Sequence, residues 1–453
     1  MSRERILGTP DSLADIPEAA RPPHAAPRTA ATGARAILAA SIGNALEWYD
    51  FSVYALFAIF IARSVFAGGD AVSALISAFI VFGVGFIARP LGAVLLGAYA
   101  DRAGRRAALT LTLMIMAAGT LCIAVAPPYA AIGFGAPLLV LCGRLLQGLS
   151  AGGEIGGAVA FLVEHAPPER RGRHAAWLQA SMAVSNILGA TVATTLSLIL
   201  SPEQLGAWGW RVPFILGFSI APVGLWLRAS LPETPDFEVA RHEQARTDQP
   251  RNLLGPLAEL CATRLRDLIV ACGISVVWVI AVYTLVIYLP TYVQRKLGFS
   301  PSQAFTASVV GNIAMAIGCI LAGQVSDRIG RVRTVRISTV LIVVSTWPVL
   351  AWITSARTLT SLFVGQTVFC LVVSAFAGSV PAVMASIFPA RLRSTGVAVS
   401  YNFIATVFGG FTPAALTFLT ERHQVTLAPA FYVIGSALVS LWALSGVREQ
   451  ASS

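Results

Sequence analysis

Residues 143–157 read Gly-Arg-Leu-Leu-Gln-Gly-Leu-Ser-Ala-Gly-Gly-Glu-Ile-Gly-Gly. They lie inside an apolar stretch that begins near Pro137 and ends at His165–Pro167, long enough to cross a bilayer as a helix. Yet the stretch carries Arg144 and Glu154 where hydrocarbon is expected. Arg144, Gln147, Ala151 and Glu154 share one helical face. Gly148, Gly152 and Gly156 recur every fourth residue on another, which lets a neighbouring helix come close. One face is suited to packing and one carries charge. Glu154 lies about 15 Å from either end at the helical rise. Ionisable groups at such depth face a bundle interior or a water-filled cavity.

The rest of the chain extends this pattern. Of its 453 residues, 56% are hydrophobic and only 12% are charged, about half the charge of a soluble domain. Twelve spanning helices are expected near 36–66, 74–98, 107–126, 137–165, 174–200, 212–230, 267–292, 303–325, 335–355, 359–388, 395–419 and 427–446. The expected fold is all-α: a polytopic membrane protein whose twelve helices form two pseudo-symmetric six-helix bundles. The divisions are an N-terminal arm at 1–34, a bundle at 35–230, a polar linker at 231–266, a second bundle at 267–447 and a tail at 448–453. The arm is rich in Ala, Pro and Arg and is read as disordered rather than as a signal peptide.

The net charge of +10 does not form a basic groove for nucleic acid. The arginines gather in alternate gaps between apolar segments, which places both termini in the cytoplasm of a bacterial inner membrane. The six cysteines are scattered without metal-ligand spacing and read as small apolar residues. Phosphate loops, zinc spacings and nucleophile elbows are missing from the sequence, so neither an enzyme nor a cofactor is expected.

An internal repeat supports the division into halves. Gly97-Ala-Tyr-Ala-Asp-Arg-Ala-Gly-Arg-Arg106 follows the second segment and Gly323-Gln-Val-Ser-Asp-Arg-Ile-Gly-Arg-Val332 follows the eighth. Parallel repeats of this kind mark transporters. Topology alone does not require Asp, Gly and Arg at fixed spacing twice. Asp101, Arg102, Gly104, Arg105 and Arg106, with Asp327, Arg328, Gly330 and Arg331, are therefore read as gating residues.

These loops resemble those of the major facilitator superfamily. Gly-Asn-Ala-Leu-Glu-Trp-Tyr-Asp-Phe at 43–51, Gly-Phe-Ile-Ala-Arg-Pro-Leu-Gly at 85–92, the 143–154 run, Trp-Gly-Trp-Arg-Val-Pro-Phe at 208–214 and Leu-Pro-Glu-Thr-Pro at 231–235 resemble its metabolite:proton symporters. That resemblance implies proton-coupled import of a small carboxylate such as citrate or 2-oxoglutarate. The alternative it admits is a zwitterion such as proline or betaine, and it implies a protein that works as a monomer.

Deep charges cluster in the N-terminal half: Glu47, Asp50, Arg89, Arg144 and Glu154. The corresponding C-terminal positions are apolar or glycine, so that half supplies neutral polar groups. Arg89, Arg144, Gln147, Gln179, Tyr283, Tyr401 and Asn402 are the expected substrate-binding residues, with Tyr288 and Asn312 as further neutral groups. Arg144 lies nearer the outer end of its segment. Glu47, Asp50 and Glu154 outnumber the two arginines, so proton uptake by one carboxylate would release an arginine to hold a substrate carboxylate bidentately. Asp50 or Glu47, with Glu154, are the expected partners of Arg89. The same charges could instead be static ion pairs that only fix packing. Trp208 and Trp210 are expected in an interfacial aromatic belt.

Overall fold

The structure, a computed structural model, describes residues 44–45, 47–66, 69–103, 105–152, 154–164, 166–229 and 255–447. The expected arm, most of the linker, the tail and Gly104 lie outside the described residues. So do the side chains of Asp101, Arg102, Arg105, Arg106 and Glu154.

Among the described residues, twelve helical segments follow the twelve apolar stretches. They are α1 (Glu47–Leu56 with Ala58–Val65), α2 (Ala71–Ala103), α3 (Arg105–Ala124), α4 (Gly135–Ala151 with Glu154–Glu164), α5 (Arg171–Ile199), α6 (Val212–Ala229), α7 (Leu265–Leu297), α8 (Pro301–Ile329), α9 (Arg331–Ala356), α10 (Leu359–Ile387), α11 (Ala390–Arg422) and α12 (Ala428–Ser445). Across the halves, α5 packs along α8, and α2 and α4 pack against α11.

Three departures from smooth helices shape the interior. First, α1 bends by 69° after Leu56 without a proline. Tertiary contacts fix its first arm at two points. Tyr49 Oη donates to Pro213 O (3.0 Å) on one side, and Tyr54 Oη donates to Ala78 O (3.0 Å) close to the bend. Second, the first part of α4 gives way to a turn at Gly152, within its glycine run, and the Gly152 carbonyl accepts from Asn402 Nδ2 of α11 (3.1 Å). Third, π-helical turns occupy Val282–Tyr288 in α7 and both Ala405–Gly409 and Phe418–Arg422 in α11. Such turns are rare and gather at functional sites.

Pro90 sits inside α2 without breaking it. Its missing N–H leaves the Phe86 carbonyl without a helical donor. In an apolar interior that carbonyl must find another, and Thr406 Oγ1 of the first α11 π turn supplies it (3.0 Å).

The glycine face of α4 meets two partners rather than one helix. A Cβ at Gly148 would lie 1.7 Å from Gly85 O and one at Gly152 would lie 2.0 Å from Arg89 O, both on α2. At Gly156 the obstacle is Ser394 O of α11, 2.4 Å away. Gly92 of α2 answers with its own close approach to Leu149 O.

Two further expectations, for the tryptophans and for the cysteines, are corrected, and the polar linker gains detail. The end of the polar linker is a short helix, Gly255–Thr263, which buries Leu260 and pairs Glu259 with Arg391 at the start of α11. Trp210 is fully buried against Phe214, with the Arg211 guanidinium over its ring, while Trp208 is exposed as a belt residue would be. Cys319 and Cys370 are buried as expected, but Cys142 and Cys261 are exposed.

Candidate functional site

Phe51, one residue beyond Asp50 on α1, carries both deep arginines. The Arg89 guanidinium lies 4.9 Å from its ring centre and the Arg144 guanidinium 4.4 Å. Phe86 supports Arg89 (4.4 Å), and Tyr54 and Phe82 support Arg144 (4.8 and 4.7 Å). Aromatic faces offer a desolvated cation its quadrupole without removing its hydrogen-bonding edge. Arg144 is 0% exposed and Arg89 2%, so both belong to one sealed cluster. The shallower placement expected for Arg144 from its position in sequence does not separate it from Arg89.

The carboxylates divide the work. Glu47 pairs directly with Arg89, whose Nη2 donates to Oε1 at 2.8 Å. Asp50 instead meets neutral donors. Thr120 Oγ1 and Gln147 Nε2 (3.2 Å) both donate to Asp50 Oδ2, and Gln147 Oε1 accepts from Arg144 Nη1 (2.7 Å). Gln147 therefore stands as a neutral relay between Asp50 and Arg144, tying α1, α3 and α4 together. A Cβ at Gly217 of α6 would lie 2.9 Å from Asp50 Oδ1, so that glycine makes room for the carboxylate. Thr120 and Gly217 were absent from the expected site. Neither carries a charge or a repeat that would have signalled it.

Unmet hydrogen bonds mark where a ligand could engage. Arg89 Nε, Arg144 Nε, Tyr283 Oη, Gln179 Oε1 and Asn402 Oδ1 are buried without a partner among the described residues. Buried polar groups are rarely left so, and each unmet one costs about 1–3 kcal/mol. Tyr283 stands on the α7 π turn, packs on Phe86 and Trp48, and lies within electrostatic reach of Arg89, Glu47, Arg144 and Tyr401. Tyr401 packs on Trp278 (4.8 Å between rings) and senses the same Arg89–Glu47 pair. Gln179 is buried on α5.

At one face of the bundle, the Asp327 carboxylate of the second repeat crosses between halves. It accepts from the backbone N–H groups of Gly172 (2.8 Å) and Arg173 (2.9 Å) in the first turn of α5. The acid thus caps a helix of the other half and complements its dipole. Arg331 holds Asp327 (3.3 Å) and donates to Pro168 O (2.7 Å), and Arg393 pairs with Glu164 (2.8 Å). Gly330, at φ 99°, ends α8 and turns the chain into α9. Arg328 lies in the last turn of α8. At the opposite face, Arg422 of α11 reaches Asp70 (2.6 Å) and Ser73 (2.7 Å) at the start of α2. Clasps across the halves therefore close both faces over the arginine cluster.

A helical bundle that seals paired charges between two clasped faces, with a repeated Asp-Arg loop, defines a polytopic membrane transporter. Comparison with known proteins places it more narrowly. The model of the Major Facilitator Superfamily matches residues 40–413, and the chain belongs to that family. The citrate-proton symporters of Salmonella typhi and Klebsiella pneumoniae are each 35% identical to it, over 90% and 91% of this chain and 92% of either relative. The proline/betaine transporter of Escherichia coli K12 is 32% identical over 92% of this chain and 84% of its own length. Among solved structures, the xylose transporter XylE of E. coli, in a partially occluded inward-open conformation, matches with a TM-score of 0.75 at 16% identity. It covers 93% of this chain and 99% of its own, a likeness of fold. The transporters it resembles are not enzymes, and neither is this chain.

Proposed function

We propose that the protein is a proton-coupled symporter that imports a small carboxylate, such as citrate or 2-oxoglutarate, by alternating access. One observation carries this reading: two fully sealed arginines, each with an unmet Nε, share a cluster with two carboxylates. Arg89 and Arg144 grip the substrate carboxylates. Gln147, Gln179, Tyr283, Tyr401 and Asn402 complete the site with neutral groups. Glu47 holds Arg89 in the empty carrier, and protonation on Glu47, Asp50 or Glu154 offsets the charge of the arriving anion. Citrate-proton symporters among its relatives support the reading.

The two bodies that move against each other are residues 35–230 and 267–447, joined by the linker at 231–266. The Asp-Arg loops Asp101–Arg106 and Asp327–Arg331 act as latches on the cytoplasmic face. Both termini lie in the cytoplasm of a bacterial inner membrane, and one chain is the transporting unit.

A second reading is proton symport of a zwitterion such as proline or betaine. The direct contacts of Asp50 are to neutral groups, so its charge is available to a cationic head, and proline/betaine transporters are also relatives. Purified protein in liposomes, supplied in turn with labelled citrate, 2-oxoglutarate, shikimate and proline with and without an inward proton gradient, decides between them. Carboxylate uptake that collapses with a protonophore is the expected result. Uptake that follows sodium after the proton gradient is gone would overturn proton coupling.

A further inference from the structure

A pocket without charge is lined by the stretch of α1 that follows Phe51, the residue on which both arginines rest. On α1, Ser52 and Leu56 follow Phe51; on α7, Ile287 follows Tyr283. The pocket is closed by Asn186 of α5 with Ser308 and Asn312 of α8, so both halves contribute.

Its hydrogen bonds are nearly all assigned. Ser52 Oγ donates to Tyr49 O (3.0 Å) and Ser308 Oγ to Ala304 O (3.1 Å). Asn312 Nδ2 donates to Ser308 O (2.9 Å), which turns Asn312 Oδ1 outward as an acceptor. Asn186 Nδ2 donates to it (3.2 Å). This chain also fixes which way Asn186 points, since the reversed amide would set two carbonyl oxygens against each other. Among the described residues, Asn186 Oδ1 is left buried and without a partner, on a residue that is 3% exposed. An unmet acceptor in an uncharged pocket calls for a hydrogen-bond donor, and an anionic carboxylate offers none.

We infer that the Asn186–Asn312 pair is a specificity subsite that receives a hydroxyl of the substrate, so that the preferred substrate class is a hydroxycarboxylate. The carboxylates lie on Arg89 and Arg144 and the hydroxyl donates to Asn186 Oδ1. This rests on the carboxylate reading above. An analogue lacking the hydroxyl leaves Asn186 Oδ1 unmet in the bound state. A site built to bond a hydroxyl rejects such an analogue strongly. The unmet group corresponds to roughly 10- to 100-fold in affinity.

The test compares citrate with tricarballylate, which carries the same three carboxylates and no hydroxyl. Both compete for uptake of labelled citrate into liposomes containing the full chain under an inward proton gradient. In the wild type, tricarballylate should need a concentration roughly 10- to 100-fold higher for half-inhibition. In Asn186→Ala the two should converge, chiefly through weaker citrate binding, with the tricarballylate value unchanged. Asn312→Ala, which frees the Asn186 amide to rotate, should lose discrimination in the same way. Equal competition in the wild type overturns the inference whatever the variants do, and so does discrimination that survives in folded Asn186→Ala. Wild-type protein that accumulates labelled proline and ignores citrate overturns the carboxylate reading, and this inference falls with it.

Discussion

At Arg89 the energetics depend on a counter-charge, and among the described residues the structure names it as Glu47. Taking one partner from a buried ion pair leaves the other charge uncompensated, at about 3–5 kcal/mol. Arg89→Ala should therefore lower thermal stability in detergent and abolish uptake. Removing both charges, Arg89→Ala with Glu47→Ala, should restore most of the melting temperature without restoring transport. A double variant that transports normally would reduce the pair to packing. Arg89→Lys should transport poorly too, because an ammonium cannot reproduce the planar fork over Phe51 and Phe86. At Asp50 the hydrogen-bond donors Thr120 and Gln147 are neutral, so Asp50→Asn keeps most hydrogen bonds and removes the ability to ionise. Substrate exchange between equal pools should survive in that variant while gradient-driven accumulation is lost. Loss of both activities would assign Asp50 to binding instead.

Among elements, the α2–α4 contact leaves the least room for change. Gly148 and Gly152 bring α4 onto the backbone of α2, and the atom facing Gly152 is the carbonyl of Arg89 itself. A methyl group at residue 152 must displace the segment that carries the arginine. Gly152→Ala should cost about 1–3 kcal/mol, as overpacking does, and should weaken substrate affinity as well. Gly157, whose added Cβ would meet nothing within 4 Å among the described residues, is the control and should tolerate alanine. Melting temperature and binding measured on both proteins check the contrast. The first π turn of α11 belongs to the same scale. Thr406 answers the carbonyl that Pro90 frees, so the irregularity of one half completes that of the other.

For the whole molecule, the two faces close by different chemistry. Asp327 caps α5 with its charge, a contribution of about 0.3–1 kcal/mol for a helix terminus and up to about 2 when partly buried. Asp327→Asn should shift the resting population towards opening at that face. Distances between spin labels at the ends of α5 and α8 should lengthen, and uptake should slow with little change in affinity. A large loss of affinity at normal turnover would contradict the latch. At the other face, hydrogen bonds from Ser73 and then from Arg422 hold the Asp70 carboxyl below the usual carboxylate range. A lowered folded-state pKa contributes stability above the unfolded value, and that stability is lost only as pH falls through the folded value. The Asp70–Arg422 clasp should therefore persist from pH 8 down to about 4, the ordinary carboxylate pKa. Label accessibility at that face should stay constant over this range in the wild type and rise at every pH in Asp70→Asn.

The amino-acid sequence by itself determined the twelve spans, the repeated Asp-Arg loop and the set of buried charges. Each of these is a property of one stretch: enough apolar length to cross a bilayer, or an ionisable residue too deep to be incidental. It also marked the glycine face of α4, though not which helices would meet it. Only the tertiary structure decided that Glu47 rather than Asp50 pairs with Arg89, that Gln147 stands between Asp50 and Arg144, and that Gly172 receives Asp327. The π turns that present Tyr283 and Thr406 and the unmet oxygen of Asn186 were equally silent in sequence. The reason is physical. A hydrogen bond is set by distance and direction between groups far apart in the chain, and two carboxylates three residues apart on one helix are equivalent until neighbouring helices make them different.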